Sequence, residues 1–320
     1  MERALVTGAA GFAGQWLCRE LLHRGVEVTG ARLGDDLPAG ALSAEERRAV
    51  RWRACDVRRM RDLGAALEAA RPDAVFHLAG VAFVPAADAD PGMTVDVNVG
   101  GAARLLAELR VRRAAGTLDP VVVVAGSGEQ YGRHDAGELP LVETAGQRPL
   151  SVYAASKAAQ EVIALEAHRS AGVRVIAARA FNHSGAGQAP QFLLPALAAR
   201  ALAAKAAGAP ELPIGNTTPV RDFLHAADVA RAYVLLAERG VPGEAYNIAS
   251  GTGTDVATLA ARVLALAGAS AALAPDPALQ RPVDVPALVG SAAKLRAATG
   301  WAPAHSLDSL IEELLRAAPR

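Results

Sequence analysis

The chain has 320 residues, 33 basic against 33 acidic side chains, and 52% hydrophobic residues with only 4% aromatics. That length suits one large domain or two intimate ones, and Ala, Val and Leu as packing residues suit helices on a parallel sheet better than a β-sandwich. Zero net charge without a basic block argues against a nucleic-acid surface, and two cysteines, Cys18 and Cys55, lack metal-ligand spacing and make a disulfide framework an unlooked-for feature. No apolar run is long enough for a membrane span and no signal peptide precedes the first strand, so a soluble, cytoplasmic protein is expected.

The chain begins with a predicted strand, Ala4-Leu5-Val6-Thr7, then the turn Gly8-Ala9-Ala10-Gly11-Phe12-Ala13-Gly14, then a helix over 15–24 closed by Gly25. In such a unit Gly8 permits the tight turn, Gly11 lets the main chain approach a pyrophosphate, and Gly14 lets the helix sit close on the strand. The helix N-terminus offers free N–H groups and a positive dipole end to phosphates. The spacing is Gly-x-x-Gly-x-x-Gly, and an ordinary strand-to-helix turn that needs only positive φ is the plainer alternative.

A second strand over 26–31 ends at Arg32, where a dinucleotide site reads the adenosine ribose. An acidic residue there serves NAD, whereas an arginine accepts a 2′-phosphate. Arg32 therefore points to NADPH, with NADH possible if a loop acid, Asp35 or Asp36, takes the ribose instead. A third strand over 50–55 ends at Asp56 and Val57, and a fourth over 74–80 carries Leu78 and Ala79 at its end. With Phe12, these strand-end residues are candidates to line the cofactor site. His77, isolated on an apolar strand, reads as a satisfied core histidine. One long helix is expected over 95–113, then a buried strand over 120–125, apolar without alternation, that runs into Ser127 and Glu129.

The stretch 151–160 reads as the start of a helix, which places Tyr153 and Lys157, four residues apart, on one face. An ammonium beside a phenol favours the phenolate and lowers the tyrosine from about 10 toward neutrality. Such a tyrosine can give or take a proton beside a carbonyl or an alcohol. Lys157 is one of three lysines in the chain, but an exposed pair on an ordinary helix is the bland alternative. A sixth strand over 173–179 continues the alternation. The expected fold is α/β: a Rossmann doubly wound parallel sheet with a smaller, interleaved C-terminal substrate-binding domain. Residues 1–180, with 219–240 returning, are assigned to the dinucleotide-binding domain, and 181–218 with 241–320 mainly to the substrate-binding domain. Later helices are expected over 192–207, 226–239, 254–267 and from Ser306, with strands over 220–225 and 246–249.

Taken together, Gly8-x-x-Gly11-x-x-Gly14, Ser127, Tyr153-x-x-x-Lys157 and Arg221-Asp222-Phe223 resemble the extended short-chain dehydrogenase/reductase family along the whole chain. Within it, residues 179–188 are similar to the Arg-x-Phe-Asn-His-Thr-Gly-Pro-Gly-Gln stretch of GDP-4-keto-6-deoxy-D-mannose reductases, with Ala186 in place of Pro, and Val152 stands where Pro is frequent. Segments 220–224 and 281–286 are similar to the same enzymes. The resemblance implies Tyr153 as proton donor to a 4-keto oxygen, Lys157 as the group that lowers its pKa and holds the nicotinamide ribose, and Ser127 as donor to the keto oxygen. Hydride comes from the nicotinamide, since no side chain can deliver it. It implies a nucleotide-diphosphate sugar as substrate, held by Asn182, Arg221 and Arg281, and a homodimer joined through a four-helix bundle. For the two arginines the alternative is a surface ion pair with Asp222 or Asp284.

Sugar-nucleotide 4,6-dehydratases of the family carry a Thr-Asp-Glu or Thr-Ser-Glu triplet, whereas this chain has Ser127-Gly128-Glu129. The lost middle group weakens a dehydratase reading and leaves Glu129 as a substrate-contact or packing residue. A 4-epimerase with tightly held NAD and a dinucleotide-sensing regulator are the other readings; relatives of the second kind usually lose the Tyr or the Lys, and both stand here. The scattered histidines give no support to a metal site.

Overall fold

The computed structural model describes residues 1–280 and 285–318. In chain order the strands are β1 (Arg3–Thr7), β2 (Glu27–Arg32), β3 (Arg51–Ala54), β4 (Ala74–His77), β5 (Val121–Ser127), β6 (Arg174–Ala180), β7 (Asn182–Ser184), β8 (Glu211–Ile214), β9 (Val220–His225), β10 (Ala245–Ile248), β11 (Gly253–Asp255), β12 (Ala272–Pro275) and β13 (Ala287–Leu288). The α-helices are α1 (Phe12–His23), α2 (Ala44–Ala49), α3 (Met60–Ala70), α4 (Val84–Ala89), α5 (Pro91–Val95), α6 (Gly101–Ala114), α7 (Val152–Ala171), α8 (Leu193–Ala207), α9 (Ala226–Arg239), α10 (Val256–Ala267), α11 (Ala293–Thr299) and α12 (Leu307–Ala317).

Seven strands form one parallel sheet in the order β10-β6-β5-β4-β1-β2-β3. The order reverses between β1 and β4, so a crevice opens above the carboxyl ends of those two strands. Strand β5 shows why the sheet is covered on both sides. Val121, Val123 and Ala125 belong to the core with α1 and α9, while Val122 and Val124 belong to the core with α3, α6 and α7. A strand buried on both faces needs no polar alternation, which is what its sequence shows.

The rest of the chain forms a lobe at the carboxyl edge of that sheet. Its core joins Leu194 and Leu197 of α8, Leu259 and Val263 of α10, and Leu310 and Ile311 of α12. A small sheet pairs β11, β9 and β13, with β7 also on β9, and β8 pairs with β12. Among the described residues no helix is long and apolar enough to cross a membrane. Cys18 and Cys55 are free and buried, and burial pushes both thiols up to about 12.

The structure departs from the sequence expectations in four places. The long helix over 95–113 is not continuous: a π-helical turn, Asp96–Gly100, interrupts it where Asn98 reaches out to hold neighbouring segments. Thr254 lies in strand β11, and α10 starts later because Asp255 caps it by accepting from the N–H of Thr258 at 2.8 Å. Strand β9, expected to return to the dinucleotide-binding domain, lies in the small sheet, and it is α9 that returns to pack on α1. Conversely β10, expected in the substrate lobe, is the edge strand of the main sheet beside β6. In both cases what decides is which edge is free to pair, and single-strand patterns do not record that.

Candidate active site

The glycine turn after β1 is shaped for close approach. Gly8 has a φ of 71°, and a Cβ there would sit 2.7 Å from the nitrogen of Ala79; a Cβ on Gly14 would lie 2.2 Å from the Gly8 carbonyl oxygen. The N–H of Gly11 donates to that same oxygen at 3.0 Å. Gly11 is the N-cap of α1 and supplies no side-chain cap, so the N–H groups of the first helical turn face the cleft without an intrahelical acceptor. These features fit the pyrophosphate of a dinucleotide, which would bind at the helix N-terminus.

Gly8, Gly11, Phe12, Gly14, Arg32, Asp56, Val57, Leu78, Ala79, Ser127, Glu129, Tyr153, Asn182 and Arg221 all line one cleft of 1140 Å³ that runs from the glycine turn across to the lobe. Arg32 closes the end of β2, its guanidinium 3.8 Å from the Asp35 carboxylate and over the ring of Trp52. Asp56 is bound by Arg58 through both oxygens, which holds its carboxyl below the usual range. Arg281 lies outside the described residues. His77 is fully buried and its Nδ1 lies 2.8 Å from the Thr7 hydroxyl; Nε2 has no protein partner among the described residues. Burial, aided by the charge of Lys157, draws its pKa down to about 3, so it is a neutral core histidine.

The chemical centre lies between β5 and α7. Ser151 caps α7 by accepting from the N–H of Ala154 at 3.1 Å, which fixes the helix start two residues before Tyr153. Ser127 and Tyr153 border the same cleft, and the Ser127 hydroxyl accepts from the N–H of Glu129 at 3.2 Å. Lys157 is buried behind them, where its ammonium donates to the Ala125 carbonyl at 2.9 Å and to Gln160 Oε1 at 3.0 Å.

The expected lowering of the phenol by Lys157 is not what the polypeptide produces. Burial pushes Tyr153 up to about 12, against the Ser127 hydrogen bond and with help from Glu129. Burial also brings Lys157 down to about 8. Desolvation penalises both charged forms, so the resting pair is a protonated phenol with a cation that loses its proton easily. A protonated phenol is the form that can donate.

On the lobe side, Asn182 stands on β7 and Arg221 on β9. Arg221 is 8% exposed and donates to the Val285 carbonyl at 2.7 Å. The carboxylate of Asp222 is fully buried and accepts from the N–H groups of Ser250, Gly251 and Gly290 and from the Ser250 hydroxyl. Asp222 thus organises two loops of the lobe, and a surface ion pair does not describe it.

Beneath the centre lies a polar network that sequence reasoning missed. Glu161, one turn after Lys157, accepts from both guanidinium edges of Arg179 at 2.9 and 2.6 Å, from Gln130 at 3.0 Å and from Gln147 at 2.9 Å. Gln130 Oε1 in turn accepts from the main-chain N–H of Ser127 at 2.7 Å. Asn98, in the π-helical turn, ties the loop after β4 to α7 through Val81 and the Ser156 hydroxyl. The signal for Glu161 was present: it continues the four-residue spacing from Tyr153 through Lys157.

A glycine-turned Rossmann sheet with a serine and a tyrosine on its cleft and a lysine buried behind them defines an extended short-chain dehydrogenase/reductase. Comparison with known proteins agrees. The family model described as GDP-mannose 4,6 dehydratase matches residues 5–314. GDP-6-deoxy-D-mannose reductase of Pseudomonas aeruginosa is 36% identical over 246 residues, 76% of this chain and 79% of the relative. The structure of RMD from Pseudomonas aeruginosa complexed with NADPH superposes with a TM-score of 0.81 at 29% identity, covering 98% of each chain. The UDP-glucose 4-epimerase of Thermus thermophilus, in complex with NAD, gives 0.85 at 30% identity, again over 98% of each chain. The chain belongs to the NAD-dependent epimerase/dehydratase family of extended short-chain dehydrogenases/reductases, the NAD(P)-dependent enzymes that modify nucleotide-linked sugars.

Proposed function

We propose that the protein reduces the 4-keto group of a nucleotide-linked 4-keto-6-deoxy-hexose, with GDP-4-keto-6-deoxy-mannose as the substrate of choice and NADPH as the hydride source. The observation that carries the reading is that Ser127 and Tyr153 line one cleft whose ribose end is closed by Arg32. Tyr153 gives its proton to the keto oxygen as negative charge develops there. Ser127 donates a second hydrogen bond to the same oxygen, and a preorganised donor of this kind is worth about 3 kcal/mol. Lys157 compensates the phenolate left behind and holds the nicotinamide ribose. Asn182, Arg221 and Arg281 bind the nucleotide-sugar, the arginines through its diphosphate. Glu129 borders the cleft at the end of β5 and serves as a substrate contact.

The Pseudomonas aeruginosa reductase, at 36% identity, supports this reading. Loss of reduced-nicotinamide absorbance on adding the GDP-linked keto-sugar tests the assignment directly. Turnover with a UDP- or dTDP-linked keto-sugar in its place would move the base, and no turnover with any would sink the reductase. The likeness to the NAD-complexed epimerase sustains a second reading, a 4-epimerase. NAD that stays with the protein through purification is its mark, since an epimerase must return its hydride. A homodimer through the paired helices α6 and α7 completes the proposal; Val111 and Val162 are 70% and 60% exposed on them.

A further inference from the structure

Among the described residues four arginines border the cleft, and three of them are held elsewhere. Arg58 is held by the two oxygens of Asp56 at 2.6 to 3.1 Å. Arg200 and Arg221 belong to α8 and β9 on the lobe side. Arg32 remains, at the ribose end of β2. Its Nη1 donates to the Asp35 carbonyl, and its side chain, 17% exposed, lies against an aromatic face. The guanidinium carbon is 5.6 Å from the centre of the Trp52 ring.

That ring is fixed from three directions. Trp52 pairs with Gly30 across the parallel β2–β3 ladder. A Cβ on Gly30 would lie 3.0 Å from the ring edge, so the indole rests on a strand surface only glycine provides. The indole N–H donates to the Arg47 carbonyl at 2.8 Å, which sets the rotation of the ring. Arg32 follows Gly30 by two residues and therefore projects from the same face of β2.

We infer that Trp52 is a specificity-determining residue for the cofactor: its ring holds the Arg32 guanidinium in place to receive the 2′-phosphate of NADPH. A free arginine loses rotamer entropy when it grips a phosphate, and a stacked one has already lost it. A cation over an indole is also the strongest of the cation–aromatic pairs. Gly30 belongs to the same device, since it makes the room for the ring. The inference rests on the NADPH reading and on Arg32 as its phosphate contact. It does not depend on which sugar is reduced.

Calorimetric titration with NADPH and with NADH, in the absence of sugar, tests it on wild type, Arg32→Ala, Trp52→Leu and the double variant. Trp52→Leu is expected to weaken NADPH about five- to tenfold, from the usual strength of such a stack, and NADH less than about twofold. The double variant should discriminate between the cofactors no worse than Arg32→Ala alone. Trp52→Phe, which keeps a ring face but loses the Arg47 bond, should retain most of the discrimination, and it carries the test if Trp52→Leu does not fold. Equal weakening of both cofactors by Trp52→Leu, or loss of discrimination in Trp52→Phe, would overturn the inference. An Arg32→Ala variant that keeps the wild-type NADPH-to-NADH ratio overturns the Arg32 reading and the platform with it. Failure to turn over a keto-sugar, by contrast, leaves these binding ratios untouched and bears only on the reductase.

Discussion

One turn of α7 separates two buried charges that are treated in opposite ways. Glu161 is 4% exposed and meets Arg179 edge to edge, with Gln130 and Gln147 filling its remaining positions. Its carboxyl is held below the usual range despite burial, chiefly through Arg179, and the hydrogen bonds and charge of Glu161 leave the Arg179 guanidinium more firmly protonated than usual despite its own burial. Lys157 is 5% exposed and meets only neutral acceptors among the described residues, a carbonyl and an amide oxygen. Burial therefore drags it down to about 8. A compensated charge makes a fixed point, and an uncompensated one stays within reach of physiological pH and available for chemistry. The same helix supplies the rigid floor and the reactive group.

The largest expected effect breaks the reactive half. Tyr153→Phe removes the proton donor but keeps the ring and its packing. Turnover should fall by about 10³, within the usual span for a general acid, while NADPH affinity changes little. Initial rates and a binding titration on the same preparation separate the two. Unchanged turnover would mean that the proton comes from elsewhere.

Next in size is the loss of the fixed half. Glu161→Leu leaves the Arg179 guanidinium buried without its counter-ion, and removing one partner of such a pair costs about 3–5 kcal/mol. Urea unfolding at neutral pH measures it. The pH dependence has a definite sign. A carboxyl whose folded pKa is depressed contributes stability above its unfolded pKa and loses it as pH falls through the folded value. Glu161→Gln should therefore flatten the acid limb of the stability curve. An acid limb as steep as in wild type would mean that the pair is not what fails in acid.

These two halves were unequally legible in the sequence. The glycine turn, Arg32 and the Tyr153–Lys157 spacing are local patterns, each fixed by residues within one element or one turn, and all but Lys157, which is buried behind, line one cleft. Glu161 and Arg179 are 18 residues apart on different elements, and nothing in either segment names the other. Their partners Gln130 and Gln147 come from two further loops. The small sheet was obscured for a related reason. Strands β7, β11 and β13 have three residues or fewer, too short for a period to show, and tertiary pairing alone makes them strands. For Tyr153, spacing shows the nearness of Lys157 but not the desolvation that raises the phenol in the folded chain.

A third expectation concerns His77, which shares the interior with Lys157. In the folded protein it stays neutral down to about pH 3, whereas in the unfolded chain it takes a proton near 6.5. The unfolded state therefore binds more protons between those values, and stability is lost progressively as pH falls from 6.5 toward 3. At pH 5 the loss amounts to about 2 kcal/mol. His77→Leu should remove that part of the slope, whatever it does to stability at neutral pH. Equal slopes in the two proteins between pH 6.5 and 4 would show that the ring is protonated in the folded state.

The smallest effect on stability is the most direct probe of the comparison. Lys157→Met keeps the length of the side chain and removes the buried charge. It also leaves the Ala125 carbonyl and Gln160 Oε1 without their donor, and an unsatisfied buried acceptor costs about 1–3 kcal/mol. The cost of burying the ammonium is of similar size or slightly larger, since a shift from 10.5 to about 8 corresponds to about 3 kcal/mol. At pH 7 the variant should thus be inactive yet within about 1 kcal/mol of wild type in stability. Between pH 8 and 10.5 the unfolded lysine holds more protons than the folded one, so wild-type stability rises with pH there, relative to the variant. Loss of activity with no loss of fold, and a stability difference that turns toward wild type above pH 8, is the behaviour of a charge kept for chemistry. A deficit of 3–5 kcal/mol at pH 7, like that of Glu161→Leu, would instead make Lys157 a second structural charge and erase the contrast along α7.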